Sequence, residues 1–544
     1  MRQALENPFY YLENFQQVLS WVGQHHGDLL DERERAFLDR FPQLPQASRA
    51  LLVRMVMRKG TLFRASKLLY REIGCPHRAA QALIEQGWLD PAPELPLEQL
   101  FALLKKSELA QAFGAAGAGG LRKSELLENL LPHHSQARSL ADWCAQLDDK
   151  VFALGIDPLC ERLRLMFFGN IRQDWSEFVL ADLGIYRYEQ VPFSSDSRAF
   201  HSRADLDAYL QLQRCRERFD AGDDLAEVLA EIPQRPYAND WLESRRGKLL
   251  LRIAQQFERL GDLPEALRLH AANRYPGARE RAIRVLERCG QPEAALELAR
   301  QAQAAPESEH EAQQLERMLP RLQRALGQQA PRQRRVEPER IDLALPRAAS
   351  VELAVREHLS TPQAPLYYVE NALVGSLFGL LCWEAIFAPL PGAFFHPFHW
   401  APADLSRPDF HRRRAELFAR CLAGLDSDDY RDCILRTFQA KFGIHNAFVT
   451  WGLLDAELLQ RALDCLPAAH LKLMFQRILA DVCGNRSGLP DLIQFWPDER
   501  RYRMIEVKGP GDRLQDNQKR WIDYAHRHGL PIAVCYVQWA EAAQ

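Results

Sequence analysis

The chain contains no Cys-x-x-Cys pair and no spaced set of Cys and His, although it holds 11 cysteines in 544 residues. This argues against a zinc finger and for reduced intracellular thiols. His396 and His399 stand close together, but in a Phe/Pro-rich loop where packing is the expected role. No apolar run is long enough for a membrane span. The 372–388 stretch is interrupted by Glu384 and closed by Pro389 and Pro391, short of the roughly 20 residues a span needs. The opening residues lack the apolar core of a signal peptide. The expectation is a soluble protein without membrane contact. Positive charge is also missing from the total, which is −3, so any grip on nucleic acid has to be local. An apolar share of 47% is ordinary for globular protein, and the length suits roughly three to four domains.

Locally the balance changes. Between Phe41 and Ala80 there are eight basic residues, Arg49, Arg54, Arg58, Lys59, Arg64, Lys67, Arg71 and Arg78, against one acid, Glu72. Arg54 and Arg58 are four apart, as are Lys67 and Arg71, so each pair is expected on one side of a helix. A solvated helical face normally mixes both signs. Charge concentrated this way suits a phosphate backbone.

The chemistry-bearing stretch lies further on. Gly488-Leu489-Pro490-Asp491 leads into an apolar strand, Leu492 to Trp496. Pro497-Asp498-Glu499-Arg500 reads as a hairpin connection, and Met504 to Val507 as the returning strand. Pairing the two brings Asp491, Glu506 and Lys508 to one end of a sheet, with Glu506 and Lys508 on one face. Two carboxylates make a hard-oxygen site for Mg²⁺ or Mn²⁺, to which the backbone carbonyl of Val507 adds a ligand. A cation there neutralises charge on a phosphodiester and acidifies a water, and Lys508 steadies the transition state. The pattern is short, and a surface ion pair at a strand end has the same sequence.

Its surroundings narrow the choice. The stretch resembles the PD-(D/E)xK nuclease motif in its VRR-NUC form, further in Gly509-Pro510-Gly511-Asp512-Arg513-Leu514 followed by Gln518 and Trp521. Upstream, Tyr368-Val369-Glu370-Asn371-Ala372-Leu373 leading into Leu377-Phe378-Gly379-Leu380-Leu381-Cys382-Trp383 resembles the opening helix of the nuclease domain in the Fanconi-associated nuclease family. The resemblance implies that Glu370 completes the metal site with Asp491 and Glu506, holding one or two ions. Gln518 is then expected to hold the attacking water or a phosphate oxygen. Phe9 to Glu72 is similar to the family's N-terminal domain, in Tyr10-Tyr11-Leu12 and in Lys67-Leu68-Leu69-Tyr70-Arg71-Glu72-Ile73.

Leu95 to Leu131 reads as helix, Gly/Ala-rich loop (Gly117 to Gly120) and helix, similar to a SAP-type DNA-binding element with Lys105, Lys106, Arg122 and Lys123 as phosphate contacts. A plain helical hairpin has the same pattern. Further on, Arg259-Leu260-Gly261-Asp262-Leu263-Pro264-Glu265-Ala266-Leu267 recurs approximately as Arg288-Cys289-Gly290-Gln291-Pro292-Glu293-Ala294-Ala295-Leu296. Gly261 and Gly290 mark turns in a degenerate, tetratricopeptide-like helical array, a spacer that also offers a surface to repair proteins. The Gln/Ala/Arg-rich segment 325–340, with Pro331 and Pro338, reads as a linker.

The expected fold is a mainly α multidomain protein with a C-terminal α/β PD-(D/E)xK, restriction-endonuclease-like nuclease domain. Its parts are an N-terminal DNA-binding domain (1–92), a SAP-like element (93–135), helical repeats and linker (136–340) and the VRR-NUC nuclease (341–544). The resemblance implies a DNA nuclease cutting 5′ flaps and branched DNA, with 5′-to-3′ trimming, in interstrand crosslink repair. The eukaryotic ubiquitin-binding zinc finger is absent, so ubiquitin binding is not supported and a bacterial, cytoplasmic, nucleoid-acting member is expected. Cys483 and Asn517 stand where a basic pocket for a 5′ phosphate would have cations, leaving Arg486 and Lys519 nearby. A Holliday-junction resolvase, a restriction-type enzyme and a non-enzymatic scaffold remain open.

Overall fold

A computed structural model describes residues 7–113, 121–194, 196–330 and 337–540. The Gly117–Gly120 loop and Pro331 lie outside the described residues. The chain divides into two compact units, Met1–Tyr186 with Arg198–Arg203, and Arg187–Ser197 with Ala204–Gln544.

The first unit joins helices Tyr10–His26, Glu32–Arg40, Gln46–Val56 and Pro76–Glu85 to a small antiparallel sheet of order β1-β3-β2 (β1 Leu62–Arg64, β2 Leu89–Asp90, β3 Val151–Leu154). Asp31 and Glu34 form a capping box that starts the Glu32–Arg40 helix. Tyr11, Phe15, Phe37 and Phe41 are fully buried. Because β3 pairs with β1 and β2, the expected boundary at 135/136 is corrected: residues 136–186 complete this unit and are not helical repeats. The SAP-like stretch holds helices Leu97–Leu103, Lys106–Phe113 and Lys123–Leu130 around Leu97, Leu100, Leu109, Leu126 and Trp143. Its first half is thus two helices, where one was expected.

The second unit carries the helical array, Asp240–Leu260, Leu263–Ala271, Ala278–Arg288, Pro292–Ala304 and Glu309–Ala325. Gly261 (φ 89°) and Gly290 (φ 70°) take the left-handed conformation that ends a helix. Ala266 and Ala295 are fully buried, as close helix contacts require. The array does not hang on a free linker. Arg317 of its last helix grips Asp516, at the start of the Asp516–Arg527 helix, through two hydrogen bonds of 2.6 and 2.7 Å.

Toward the C-terminus the second unit forms a five-stranded sheet in the order β4-β8-β7-β6-β5. They are β4 Glu339–Leu345, β5 Leu366–Tyr368, β6 Leu492–Trp496, β7 Arg501–Lys508 and β8 Ile532–Trp539. β4 and β7 run parallel to β8, while β5-β6 and β6-β7 are antiparallel. β4 begins at Glu339, so the sheet starts inside the expected linker. Between β5 and β6 the chain inserts a helical layer whose first helix, Leu373–Leu381, is buried at every position. It packs so closely that a Cβ on Gly379 would lie 2.8 Å from Val449 Cγ2. The apolar run expected as one helix breaks at Cys382 and resumes as Trp383–Ile386.

Candidate active site

The sheet register assembles the site. Leu492 pairs with Ile505 on one side and with Tyr368 on the other, which puts Asp491 beside Glu506 and next to Val369, whose N–H donates to the Asp491 carbonyl at 2.8 Å. Glu370 follows Val369 directly. The ends of β5, β6 and β7 therefore carry Glu370, Asp491, and Glu506 with Lys508.

Asp491 accepts a hydrogen bond from Val507 N at 2.8 Å through Oδ2. Burial raises its carboxyl above the usual range against the pull of that bond and of Lys508, and the charges of Glu370 and Glu352 add to the rise. Glu506 is wholly buried. Burial, then the charge of Asp491, pushes it up to about 7, although Lys508 opposes the shift. Lys508 Nζ lies 2.8 Å from Glu506 Oε1 and pairs with it. Glu506 Oε2 is buried without a hydrogen-bond donor, and a buried carboxylate oxygen in that condition is costly unless something else satisfies it. A hard cation does so. The oxygens gathered here are carboxylate oxygens, a donor type that suits a hard divalent cation.

Glu370 is exposed and takes hydrogen bonds from the Tyr368 hydroxyl and, at 3.5 Å, from Asn371 Nδ2. Among the described residues no three His, Cys, Asp or Glu side chains close tightly enough to enclose an ion unaided. The compact part of the site is Asp491, Glu506 and Lys508, with Glu370 beside it. Gln518 sits in the first turn of its helix, where its Oε1 accepts from Gln515 N at 2.8 Å as a cap. That oxygen is committed, so Gln518 offers its amide N–H groups as donors.

Of the expected DNA contacts, Arg58, Lys59, Lys67, Arg71, Lys105, Lys106, Arg122, Arg486 and Lys519 are exposed. The other three are less exposed and paired within the protein. Arg64 is a correction: it is 6% exposed and chelated by Glu108 (2.7 Å) and Asp149 (2.8 Å), an internal bridge with no face for phosphate. Arg54 pairs with Glu72 at 2.7 Å and lies over the Tyr11 ring, 3.8 Å from its centroid. Lys123 donates to the Leu104 carbonyl at 2.8 Å. The helical spacing of Lys67 and Arg71 is also corrected, since Ala65–Lys67 is a 3-10 turn and Arg71 lies in the turn after it. His396 and His399 pack ring to ring at 4.1 Å, as expected for a core pair. Near the absent cations, Asn517 is used locally, its Nδ2 donating to Ser487 Oγ at 3.4 Å.

Tyr368, Asn371 and Glu352 were missed in the sequence. Tyr368 and Asn371 flank Glu370 directly, and that adjacency was the available signal. Glu352 gave none. It reaches the site because its helix, Val351–Leu359, packs on the sheet and brings Val351 against Gly509.

Three family models match the chain: "FAN1, HTH domain" over residues 9–90, "Fanconi anemia-associated nuclease SAP domain" over 94–143, and "VRR-NUC domain" over 426–539. The Fanconi-associated nuclease 1 homolog of Pseudomonas aeruginosa is 58% identical, over 98% of this chain and 97% of its own length. The rice homolog is 24% identical over 97% of this chain, which spans 62% of that longer protein. The crystal structure of paFAN1 bound to 2nt 5′flap DNA with gap superposes with a TM-score of 0.95 at 58% identity, covering 99% of this chain and 100% of the other. A second, bound to 1nt 5′flap DNA with gap, gives 0.91 at 57% identity, covering 98% and 100%.

Proposed function

Since this chain belongs to the Fanconi-associated nuclease family, among its bacterial members, we propose that it is a divalent-metal-dependent nuclease cutting DNA at 5′ flaps and branches. Further 5′-to-3′ trimming, and interstrand crosslink repair as the setting, belong to the same reading. The observation that carries it is the wholly buried Glu506 carboxylate, paired with Lys508 through one oxygen and donorless at the other, beside Asp491, in a chain so similar to a protein crystallised on flap DNA.

Asp491, Glu506, Glu370 and the Val507 carbonyl are the groups to hold Mg²⁺ or Mn²⁺. Such an ion supplies charge neutralisation and a water acidified for attack on phosphorus. Asp491 is oriented for this by Val507 N, which holds one of its oxygens and leaves the other to the site. Lys508 keeps a point charge beside Glu506, where negative charge grows on the phosphoryl oxygens. Gln518 donates from its amide to a phosphate oxygen. The exposed cations of the first unit hold the duplex by its backbone, which fixes position without reading sequence. Specificity then comes from DNA shape and bendability.

End-labelled 5′-flap, 3′-flap and four-way substrates, each with Mn²⁺, Mg²⁺ or chelator, test this directly. Cleavage confined to the metal lanes and strongest on the 5′ flap is expected. Symmetric paired cuts on the four-way junction would make the protein a resolvase instead, and equal cutting with chelator would remove the metal.

A further inference from the structure

Asn371 has a positive φ of 54°, a left-handed conformation rarely taken by residues other than glycine. Its side chain makes two hydrogen bonds to segments far apart in sequence. Oδ1 accepts from Leu489 N at 3.0 Å, and Nδ2 donates to Glu370 Oε1 at 3.5 Å. Leu489 lies two residues before Asp491, on the arm that delivers that carboxylate. Asn371 is thus the side chain that spans from the Glu370 segment to the Asp491 arm.

Buried apolar side chains on either side, among them Val369, Leu373, Leu489 and Ile493, pack into one core here. A small cavity lies between them, lined by Val369, Asn371, Leu489, Pro490, Leu492 and Met504. Below it, the main chain joins them through Val369 N and the Asp491 carbonyl, which aligns the strands; the Tyr368 hydroxyl holds one Glu370 oxygen, and, among the described residues, Asn371 alone ties the other to the Asp491 arm. A non-glycine residue in strained backbone persists only where its surroundings over-determine it, and such residues gather at functional sites. The two amide bonds are the side-chain part of what over-determines it here.

We propose that Asn371 is a positioning residue, a clasp that sets the Glu370 carboxylate at a fixed distance from Asp491, so that both meet one divalent cation. This rests on the reading of Glu370 and Asp491 as cation-holding carboxylates. The side chain does not itself touch substrate. It acts through Glu370, as hydrogen-bonding partners of metal ligands generally do.

Asn371→Gly keeps the left-handed backbone and removes both side-chain bonds, while Asn371→Asp keeps the acceptor for Leu489 N and loses the donor to Glu370. Mn²⁺ binding to the DNA-free, full-length protein is read by electron paramagnetic resonance, beside melting temperature and cleavage across a Mn²⁺ series. In both variants Mn²⁺ affinity is expected to fall about tenfold or more, with cleavage restored at high Mn²⁺ and flap binding in chelator unchanged. Wild-type Mn²⁺ affinity in Asn371→Gly overturns the proposal, and a lowered melting temperature alone assigns the residue to folding and overturns it too. Asp491→Asn separates the two levels. If it still binds Mn²⁺ and cuts, the reading of the site itself fails; if it loses both while Asn371→Gly stays wild-type, only the clasp falls.

Discussion

Glu506 answers to two opposed pulls. Burial and Asp491 push it up to about 7, and Lys508 pulls it down. A carboxyl whose pKa rises on folding binds its proton more tightly in the native state. Its contribution to the metal-free protein is therefore full in acid and shrinks as pH climbs from the ordinary carboxylate range to about 7. A bound cation needs the ionised form, so the sign reverses with metal. The Mn²⁺-induced rise in melting temperature is expected to be small near pH 5.5 and to grow through about pH 7.5, above the ordinary range of a carboxyl; in Glu506→Gln it should stay flat. A flat profile in the unmodified protein would count against Glu506 as a ligand. Lys508→Ala is expected to slow cleavage by about 10²–10³-fold with flap affinity retained, as measured by single-turnover kinetics beside a binding titration. Arg64 behaves differently. Cutting its bridge leaves Glu108 and Asp149 without their partner, and Arg64→Ala is expected to cost about 3 kcal/mol of stability in denaturant titration, while the folded fraction binds flap DNA as before.

The elements that build the site were legible to unequal degrees. Strand β6 and its turn stood out because an apolar run met Pro497 and three polar residues, and the structure closes that turn with Arg500 in the left-handed region (φ 47°). The turns at Gly261 and Gly290 were equally plain. Lys67 and Arg71 misled, since a spacing of four suits a helix, yet β1 pairs with β3 nearly ninety positions later, and that pairing overrides local spacing. Distance along the chain also hid the partners of Arg64, which lie 44 and 85 positions on. Glu352 and the Asn371 clasp were beyond reach, because sequence shows neither backbone strain nor the face a helix lays on a sheet. Gly488 is a sharper test of the Asp491 arm. It has φ 86°, and a Cβ there would lie 2.7 Å from the Asn517 carbonyl carbon. Gly488→Ala must move the arm or the Asn517–Gln518 segment, costing about 1–2 kcal/mol for the backbone alone, with cleavage falling further than stability. Cleavage unchanged at a lowered melting temperature would detach the arm from the chemistry.

Across the whole chain, a net charge of −3 leaves no general attraction to DNA, so on the proposed reading affinity should depend on local cations such as those exposed in the first unit. Arg58→Ala, Lys67→Ala and Arg71→Ala combined should lower the slope of log affinity against log salt by up to about three. An unchanged slope would take these side chains out of the interface. Among the described residues no helix is long and apolar enough to cross a membrane.

The order of strands also sets a timetable. β8 lies between β4 and β7, and it leaves the ribosome after both. Until it arrives, the strand bearing Glu506 and Lys508 has only one neighbour, and the carboxyl has not acquired the burial that gives it its character. On the proposed reading, a half-made molecule is thus harmless to DNA, and the capacity to cut waits until synthesis has passed the point of assembly.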